Sequence, residues 1–317
     1  MTAGVLINPH SGKGNDKGIE LADRLEGAAN VETRLLHNFS DISAYLDQFA
    51  NIGVTDIFIS SGDGTIQEVQ TLLAEQNIFE HQPRLCLLPH GTTNMTAANI
   101  GFRTRNVAAQ AEFIRRLNFT DSVRRPTLRV VNPRDGKPRH GMFLGAGAVT
   151  HASRFCQDAV HKSGLKGDLA TFATLATSVL RALTSRPAPG DTNRIDRPHR
   201  IDVSVDGMPR ASGDQLLLLL TTLDRLILGA RPFWGGKTAP IRVSVFPYPV
   251  PSVVRWLIPS MYGGEDRKAP PGAVSFSCHA CQIATSSPFI IDGEFFDPPE
   301  SEPLRVETGP EITYIRG

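Results

Sequence analysis

The sequence predicts an α/β domain with a parallel sheet, followed by a β-rich domain of two layers. Over residues 1–125 short apolar runs alternate with amphipathic helical patterns, and three of the runs end in polar loops that contain glycine. From residue 126 to 299 most apolar runs are short and are separated by turns rich in proline and glycine. The segment from about 300 to 317 could pack back on the first domain.

The first domain is expected to contain four strands and four helices. The strands are predicted at Val5–Ile7, Val31–Leu36, Ile57–Ile59 and Arg84–Leu88, and the helices over about 16–26, 41–49, from Thr65 onward, and 106–117. In the second domain, strands are predicted at Leu128–Val131, Gly141–Leu144, Ile201–Val205, Gln215–Thr222, Ile241–Phe246, Val274–Ser277 and Phe289–Ile291. Helices are predicted at Gly167–Ala182 and Ser252–Met261, and a loop at Arg186–Arg200. Closing strands are predicted at Leu304–Val306 and Ile312–Ile315.

Composition restricts the class of protein. The chain has 317 residues, 40% hydrophobic and 21% charged, with a net charge of +1, so no basic block indicates nucleic-acid binding. The N-terminus lacks the basic region of a signal peptide, and the longest purely apolar run, Leu216–Leu220, is too short to cross a bilayer. Four cysteines without a framework favour a reducing compartment. We therefore expect a cytoplasmic protein without a transmembrane segment.

The stretch Ile57–Glu68 reads as a strand, a turn with glycines around Asp63, and a helix N-terminus. Glycines allow unusual backbone conformations and the close approach of a ligand, and the free N–H groups of a helix N-terminus suit phosphate. A carboxylate beside phosphate needs a cation between them, which indicates a nucleotide with bound Mg²⁺. The alternative is an ordinary β–α turn in which Asp63 caps the helix.

Similar loops follow two other predicted strands, at Asn8–Gly14 and Pro89–Asn94. Because the carboxyl ends of parallel strands meet at one edge of a sheet, the three loops should lie together, where open α/β sheets bind ligands. The first loop lacks the spacing of a P-loop, and Lys13 could contact phosphate or remain solvated.

Three motifs in this order resemble the diacylglycerol kinase catalytic-domain family, which includes bacterial lipid kinases and sphingosine kinases: Asn8–Gly12, Ser61–Glu68 and Pro89–Asn94. The resemblance implies an NAD kinase/diacylglycerol kinase-like α/β domain, with the active site in the cleft between the two domains. It implies ATP and Mg²⁺ as cofactors, with Asp63 organising the metal through the nucleotide phosphates. The residues carried over for nucleotide binding are Asn8, Pro9, His10, Ser11, Gly12, Gly62, Asp63, Gly64, Thr65, Glu68, Gly91, Thr92, Thr93 and Asn94.

A second group of acidic residues, Asp292-Gly293-Glu294, follows the apolar run Phe289–Ile291. The family resembled has a matching Asp-Gly-Glu tied to catalysis, and an attacking alcohol must be deprotonated or oriented. Asp63, Asp292 and Glu294 are therefore the candidate catalytic residues, and which of them is the base stays open. The alternative is a tight Asp-Gly hairpin turn.

Two departures from the bacterial pattern concern acidic residues. Met95 stands where bacterial members carry Asp, and Ala239-Pro240 continues into Ile241-Arg242-Val243 without the Asp-Gly associated with a structural magnesium. We expect that second metal site to be absent.

The candidate site and the family resemblance together imply an ATP-dependent kinase that phosphorylates a hydroxyl of a lipid, of diacylglycerol or sphingoid type. Its partner would be the lipid at the inner face of the membrane, and a homodimer is plausible because the β domain exposes an edge. The alternatives are a soluble-substrate kinase resembling NAD kinase and a non-catalytic homologue that binds nucleotide or lipid.

Other signals are weaker. Cys278-His279-Ala280-Cys281 suggests a metal site, but positions i and i+3 of a strand point to opposite faces, so we expect none. Val245–Trp256 could touch a bilayer, although a core strand leading into a packed helix is preferred. His151 and His161 near Phe155, and the stretch Phe143–Val149, are candidate linings for an acyl chain.

Overall fold

The computed structural model describes residues 2–12, 14–91, 94–154, 197–250 and 253–317. The chain divides into two compact units, Met1–Thr127 with Gly309–Gly317, and Leu128–Thr308. The predicted helix Gly167–Ala182 and the predicted loop up to residue 196 lie outside the described residues. His199 and Arg200, placed in that loop by the sequence, belong to a strand.

The first unit is an α/β domain with a parallel sheet, as predicted. Its elements in chain order are β1 (Thr2–Ile7), α1 (Asp16–Leu25), β2 (Val31–Leu35), α2 (Asp41–Asn51), β3 (Val54–Ser61), α3 (Asp63–Glu75), β4 (Arg84–Pro89), α4 (Met95–Ile100) and α5 (Val107–Arg116). The sheet order is β4-β3-β1-β2, and each of these pairs is parallel. Helix α4 was not predicted.

Amphipathic helices cover this sheet because their apolar residues recur at helical spacing. Leu21 and Leu25 of α1 are four residues apart and both buried, as are Ile42 and Leu46 of α2. Burying one such side chain stabilises the fold by about 1.5–3 kcal/mol. The strands β1, β3 and β4 are buried over nearly their whole length, which is typical of parallel sheets covered on both faces. This rigid centre fixes the loops that leave its carboxyl edge.

The second unit is β-rich, also as predicted. The remaining strands are β5 (Ser122–Val130), β6 (Arg139–Gly141), β7 (Phe143–Gly147), β8 (His199–Val205), β9 (Met208–Ala211), β10 (Asp214–Thr221), β11 (Ile241–Pro247), β12 (Val274–Cys278), β13 (Ala280–Thr285), β14 (Phe289–Ile291), β15 (Glu294–Phe296) and β16 (Leu304–Ile315); the helix α6 spans Val253–Tyr262. The sequence predicted one strand, Gly141–Leu144, where β6 ends and β7 begins, and two closing strands where β16 is continuous. It missed β9, β13 and β15.

Two groups of strands enclose one core in this unit. One group contains β15, β14, β7, β10, β11 and β12 in that order, and the other contains β9, β8, β13 and residues 304–307 of β16. Leu144, Leu218, Val243, Ile283 and Phe289 are among the buried residues between them. At the other end of β16, Tyr314 pairs with Leu85 of β4 within the first unit.

No helix among the residues described has the length and apolar character needed to span a membrane.

Candidate active site

The first two loops of the α/β unit are joined by side-chain hydrogen bonds. Asn8 follows β1, and its amide donates to the hydroxyl of Thr65 in the first turn of α3 over 3.0 Å. The Ser61 hydroxyl, at the end of β3, donates to the same Thr65 oxygen over 2.6 Å. The Asn8 carboxamide oxygen accepts from the backbone N–H of His10. Asn8, Ser61 and Thr65 therefore hold the two loops in one arrangement at the sheet edge.

Asn15 makes a second link between the same loops. Its amide nitrogen lies within 3.0–3.1 Å of the Asn8 carbonyl, the Ser60 carbonyl and the Ser60 hydroxyl. Its oxygen accepts from the N–H of Gly18 at 2.8 Å and so caps α1. Asn15 is buried, and a β-carbon on Gly18 would lie 2.4 Å from its amide nitrogen.

The third loop touches the second through glycine backbones. A β-carbon on Gly91 would lie 2.5 Å from the Cα of Gly62 and 3.0 Å from the carbonyl oxygen of Ser61. Asn94 closes this loop, because its side-chain oxygen accepts from Gly91 N–H at 2.7 Å and its amide donates to the Gly91 carbonyl. The backbone of Asn94 is left-handed, with φ 49°. The structure thus brings together all three predicted loops.

The helix α3 begins at Asp63, directly after Gly62. The glycines of this turn were predicted to adopt unusual backbone conformations. This is wrong for Gly62, because its φ of −86° is a value that any residue adopts. Its lack of a side chain serves close approach instead, since a β-carbon would lie 3.1 Å from the hydroxyl of Ser11. Glycine backbones and the first N–H groups of α3 fit a phosphate, and the acidic Asp63 beside them fits a cation held by that phosphate.

The remaining predicted binding residues differ in exposure. Pro9 is half-buried, His10 and Gly12 are exposed, and Ser11 is buried. Glu68 is half-buried, further along α3 than Thr65. Lys13, Thr92 and Thr93 lie outside the described residues.

His90 extends the network beneath the loops. Its Nδ1 lies 2.8 Å from the hydroxyl of Ser60, and both residues are buried. Burial lowers the pKa of His90 to about 4; the nearby Lys17 also lowers it, whereas Gln110 and Glu20 oppose the shift. At neutral pH the imidazole is therefore uncharged and serves to position Ser60.

This lowered pKa predicts acid lability. Below pH 6.5 the unfolded chain binds a proton at His90 that the folded chain accepts only near pH 4, so stability falls as the pH drops through that window. The full loss in the free energy of unfolding is on the order of 3 kcal/mol. We expect His90→Gln to lose less stability than wild type between pH 6.5 and 4 in urea unfolding. Parallel curves for the two proteins would contradict the assignment.

In the second unit, Asp292 anchors the turn that also carries the candidate catalytic residue Glu294. Its carboxylate accepts from the backbone N–H groups of Met142 and Phe143, each at 2.9 Å, and its own N–H donates to the Phe143 carbonyl at 3.0 Å. Asp292 is buried and has φ 47°. A β-carbon on Gly141 would lie 2.7 Å from Oδ2 of Asp292. Asp292 thus fastens the β14–β15 hairpin to the strand β7.

Glu294, two residues later, begins β15 and keeps its side chain in contact with solvent. Partial desolvation raises the pKa of its carboxyl group. A carboxylate with a raised pKa is a stronger base, which suits proton transfer. The sequence left the base undecided, and the environments of the two carboxylates differ clearly.

The prediction that Cys278 and Cys281 point to opposite faces is wrong, because both side chains are buried. His279 and Ala280 are both exposed in succession, which breaks the strand alternation between β12 and β13. Cys278 and Cys281 therefore both face the core, and a hydrogen bond between them lowers the pKa of Cys278 and raises that of Cys281. Across the part of the chain that the structure describes, no group of three or more potential ligands is placed to hold a metal.

Two cations on either side of Ala239-Pro240 lie next to an acidic residue. The guanidinium of Arg242 lies 3.9 Å from Oδ1 of Asp224, and the ammonium of Lys237 lies 3.5 Å from the same oxygen. Arg242 is buried and lies over the ring of Phe233. The absence of a structural magnesium here stays a prediction.

The candidate acyl linings are in part core. The strand Phe143–Gly147 is buried between β10 and β14. His151 accepts from Arg197 and lies 5.3 Å, ring to ring, from His199. Burial and the adjacent Arg197 lower the pKa of His151 to about 4. Phe155 and His161 lie outside the described residues.

Sequence reasoning missed Asn15 and His90 as parts of the site. Asn15 carried a local signal, because Asn three residues before a helical glycine suits an N-cap. His90 carried none beyond its place between Pro89 and Gly91, since its partner Ser60 is thirty residues away.

The fold and the three loops define a class of protein: an α/β domain that presents glycine-bearing loops at one edge of a parallel sheet. Residues 2–122 match the model of the diacylglycerol kinase catalytic domain. The resemblance inferred from the three motifs is therefore confirmed over this segment of the chain.

Curated relatives match a smaller share of the chain. One named probable lipid kinase YegS-like, from Enterobacter sp. strain 638, is 32% identical over 71 residues, which is 22% of this chain and 23% of that protein. One named probable lipid kinase YegS, from Escherichia fergusonii, is 34% identical over 73 residues, again 22% and 23%. The match thus spans about a quarter of the length of these relatives.

Solved structures match over the whole chain. Two crystal structures from Bacillus anthracis strain Sterne have TM-scores of 0.66 and 0.64, each with 18% identity and covering 100% of this chain and 97% of theirs. The second is described as a diacylglycerol kinase. At this identity the likeness shows the fold.

Proposed function

We propose that this protein is an ATP-dependent lipid kinase that transfers the γ-phosphoryl group to a hydroxyl of a diacylglycerol- or sphingoid-type lipid. Residues 1–125 would bind the nucleotide and residues 126–299 the lipid. The protein would act on its substrate at the inner face of the membrane.

One observation carries the proposal. The loops after β1, β3 and β4 are joined by Asn8, Ser61, Thr65 and the contact of Gly62 with Gly91, and Asp63 lies among them at a helix N-terminus. Fixed backbone N–H groups beside a carboxylate are what a metal-bound polyphosphate requires. The domain match covers these same loops.

Asp63 is the residue proposed to hold Mg²⁺ through the nucleotide phosphates. When bound, the ion neutralises charge on the phosphates during transfer. The chain's own contribution is positioning: Asn8, Ser61 and Thr65 fix the loops and Asn94 closes the third one. The first N–H groups of α3 would bind the phosphate.

For the acceptor hydroxyl, we assign the base to Glu294. Both oxygens of Asp292 already accept backbone N–H groups, so this residue serves to position the hairpin. Glu294 has the raised pKa and solvent contact that proton transfer needs.

A non-catalytic homologue is the second candidate, and Met95 favours it. This residue is buried at the start of α4, where bacterial members have Asp. For a non-catalytic homologue, we expect ATP to raise the melting temperature without any formation of ADP.

The test is transfer of labelled γ-phosphate from ATP with Mg²⁺ to diacylglycerol, monoacylglycerol, sphingosine and ceramide in mixed micelles, with NAD as a soluble acceptor. Label in one lipid supports the proposal and identifies the acceptor. Label in NAD alone would assign a soluble-substrate kinase. No label in any acceptor, with ATP still raising the melting temperature, would overturn catalysis.

A further inference from the structure

Exposed large apolar side chains are concentrated in one part of the second unit. Nine such residues occur in the described ranges, and four of them fall between residues 227 and 262: Ile227, Leu228, Ile258 and Tyr262. Ile258 is 63% exposed and Tyr262 51%. Exposed apolar residues that occur singly need no explanation, whereas a group indicates a contact surface.

Two of the four share one face of α6. Ile258 and Tyr262 are four residues apart, and Arg255 precedes Ile258 by three, so the three residues form a stripe along the helix. Arg255 is exposed, and its guanidinium lies 5.3 Å from the centre of the Trp256 ring. The stripe therefore combines apolar side chains with a cation and a neighbouring indole.

The other two are held beside the end of this helix. The turn Leu226–Ala230 is closed by a bond from Leu226 N–H to the Ala230 carbonyl, and the next residue, Arg231, donates its N–H to the Met261 carbonyl at 2.6 Å. Arg267 donates to the carbonyls of Arg231 and Ser260 and so joins the two segments.

The conformation of this turn keeps an apolar side chain at its tip. Leu228 has φ 57°, in the left-handed region that a leucine rarely adopts, and its side chain is 51% exposed. A leucine held there against its backbone preference suits a contact outside the unit.

Charge identifies the kind of partner. Arg225, Arg231, Arg255 and Lys268 are exposed in these two segments, and within the described ranges none of them has a carboxylate at ion-pair distance. Glu265 and Asp266 are the exposed opposing charges, so the exposed charges of these segments are four positive and two negative. Cations around Leu, Ile, Tyr and Trp side chains match an anionic bilayer, where aromatic rings lie at the headgroups and cations meet the phosphates.

We propose that the surface formed by Ile227, Leu228, Ile258 and Tyr262, together with Arg231 and Arg255, docks the second unit on an anionic lipid bilayer. The proposal deepens the proposed function, because a lipid kinase has to reach substrates that stay in the membrane. It rests on the described surface and needs no property of the nucleotide loops.

The test is co-sedimentation of the full chain with vesicles of phosphatidylcholine containing about one third phosphatidylglycerol, and with pure phosphatidylcholine vesicles. The variant carries Leu228→Glu and Ile258→Glu, and the control is Met208→Glu, which changes a 65% exposed residue of the same unit. We expect the double variant to bind the anionic vesicles at least about tenfold more weakly than wild type, the control to bind normally, and wild type to prefer the anionic vesicles.

Vesicle binding of the double variant equal to that of wild type would overturn the proposal, as would equal binding of wild type to both vesicles. Loss of a dimer in the double variant with unchanged vesicle binding would reassign the surface to a second copy of the chain. Kinase activity on micellar lipid distinguishes this proposal from the proposed function. The double variant should retain the kinase activity of wild type. A wild type that binds vesicles but has no kinase activity would overturn the proposed kinase function and leave the docking surface supported.

Discussion

Asp63→Asn is expected to lower phosphoryl transfer by about 10³-fold without unfolding the protein. The substitution keeps the size of the side chain and removes its negative charge at the start of α3. An amide cannot replace a carboxylate beside a phosphate-bound cation, so transfer fails. Stability should change little, because a first-turn acidic residue contributes only about 0.3–1 kcal/mol through the helix dipole.

The matched control is Asp41→Asn, which makes the same change in the first turn of α2, a residue outside the three loops. It should leave turnover unchanged. The measurements are label transfer in micelles and the melting temperature with and without ATP and Mg²⁺. Full turnover in the Asp63 variant would remove Asp63 from the site, and with it the main chemical argument for a kinase.

The sequence was most informative about the first unit because its rules are local. Apolar runs of strand length alternating with helical patterns predicted β1, β3 and β4, and parallel pairing then required their loops to share an edge. Ser61 at the end of β3, Gly62 and Gly91 lie close together for that reason. What held these loops together could not be predicted, because the partners Asn15 and Ser60, or Ser60 and His90, are 45 and 30 residues apart.

The second unit was harder to predict for a related reason. The rule that alternate strand residues face opposite sides failed between Cys278 and Cys281, where two successive exposed residues accompany the passage from β12 to β13. The hairpin at Asp292 was the alternative interpretation of Asp-Gly, and the role of its carboxylate depends on backbone groups about 150 residues away. Such long-range contacts leave no local pattern.

Glu294→Gln is expected to lower turnover without loss of stability, whereas Asp292→Asn is expected to lower stability. The raised pKa of Glu294 means that folding favours its protonated form, so its contribution to stability is present at low pH and is lost as the pH rises through the folded pKa. A neutral glutamine should therefore leave stability at pH 7 unchanged or slightly higher. Turnover should fall by about 10²-fold or more, since the base is gone.

Asp292→Asn should instead destabilise the second unit by about 1–3 kcal/mol, because its amide group must face a backbone N–H of Met142 or Phe143 that the carboxylate now accepts. The backbone is not the cause, since asparagine tolerates the φ of 47° well.

The measurements are urea unfolding and the pH dependence of kcat/KM for both variants. In wild type the acidic limb of that profile should have its midpoint above 4.5, the ordinary pKa of a glutamate, because desolvation raises it. The limb should be absent from the residual activity of Glu294→Gln. A stable, inactive Asp292→Asn beside a fully active Glu294→Gln would transfer the role of base to Asp292. The backbone hydrogen bonds of Asp292 would then have to weaken when the acceptor lipid binds, because a carboxylate that accepts on both oxygens is a poor proton acceptor.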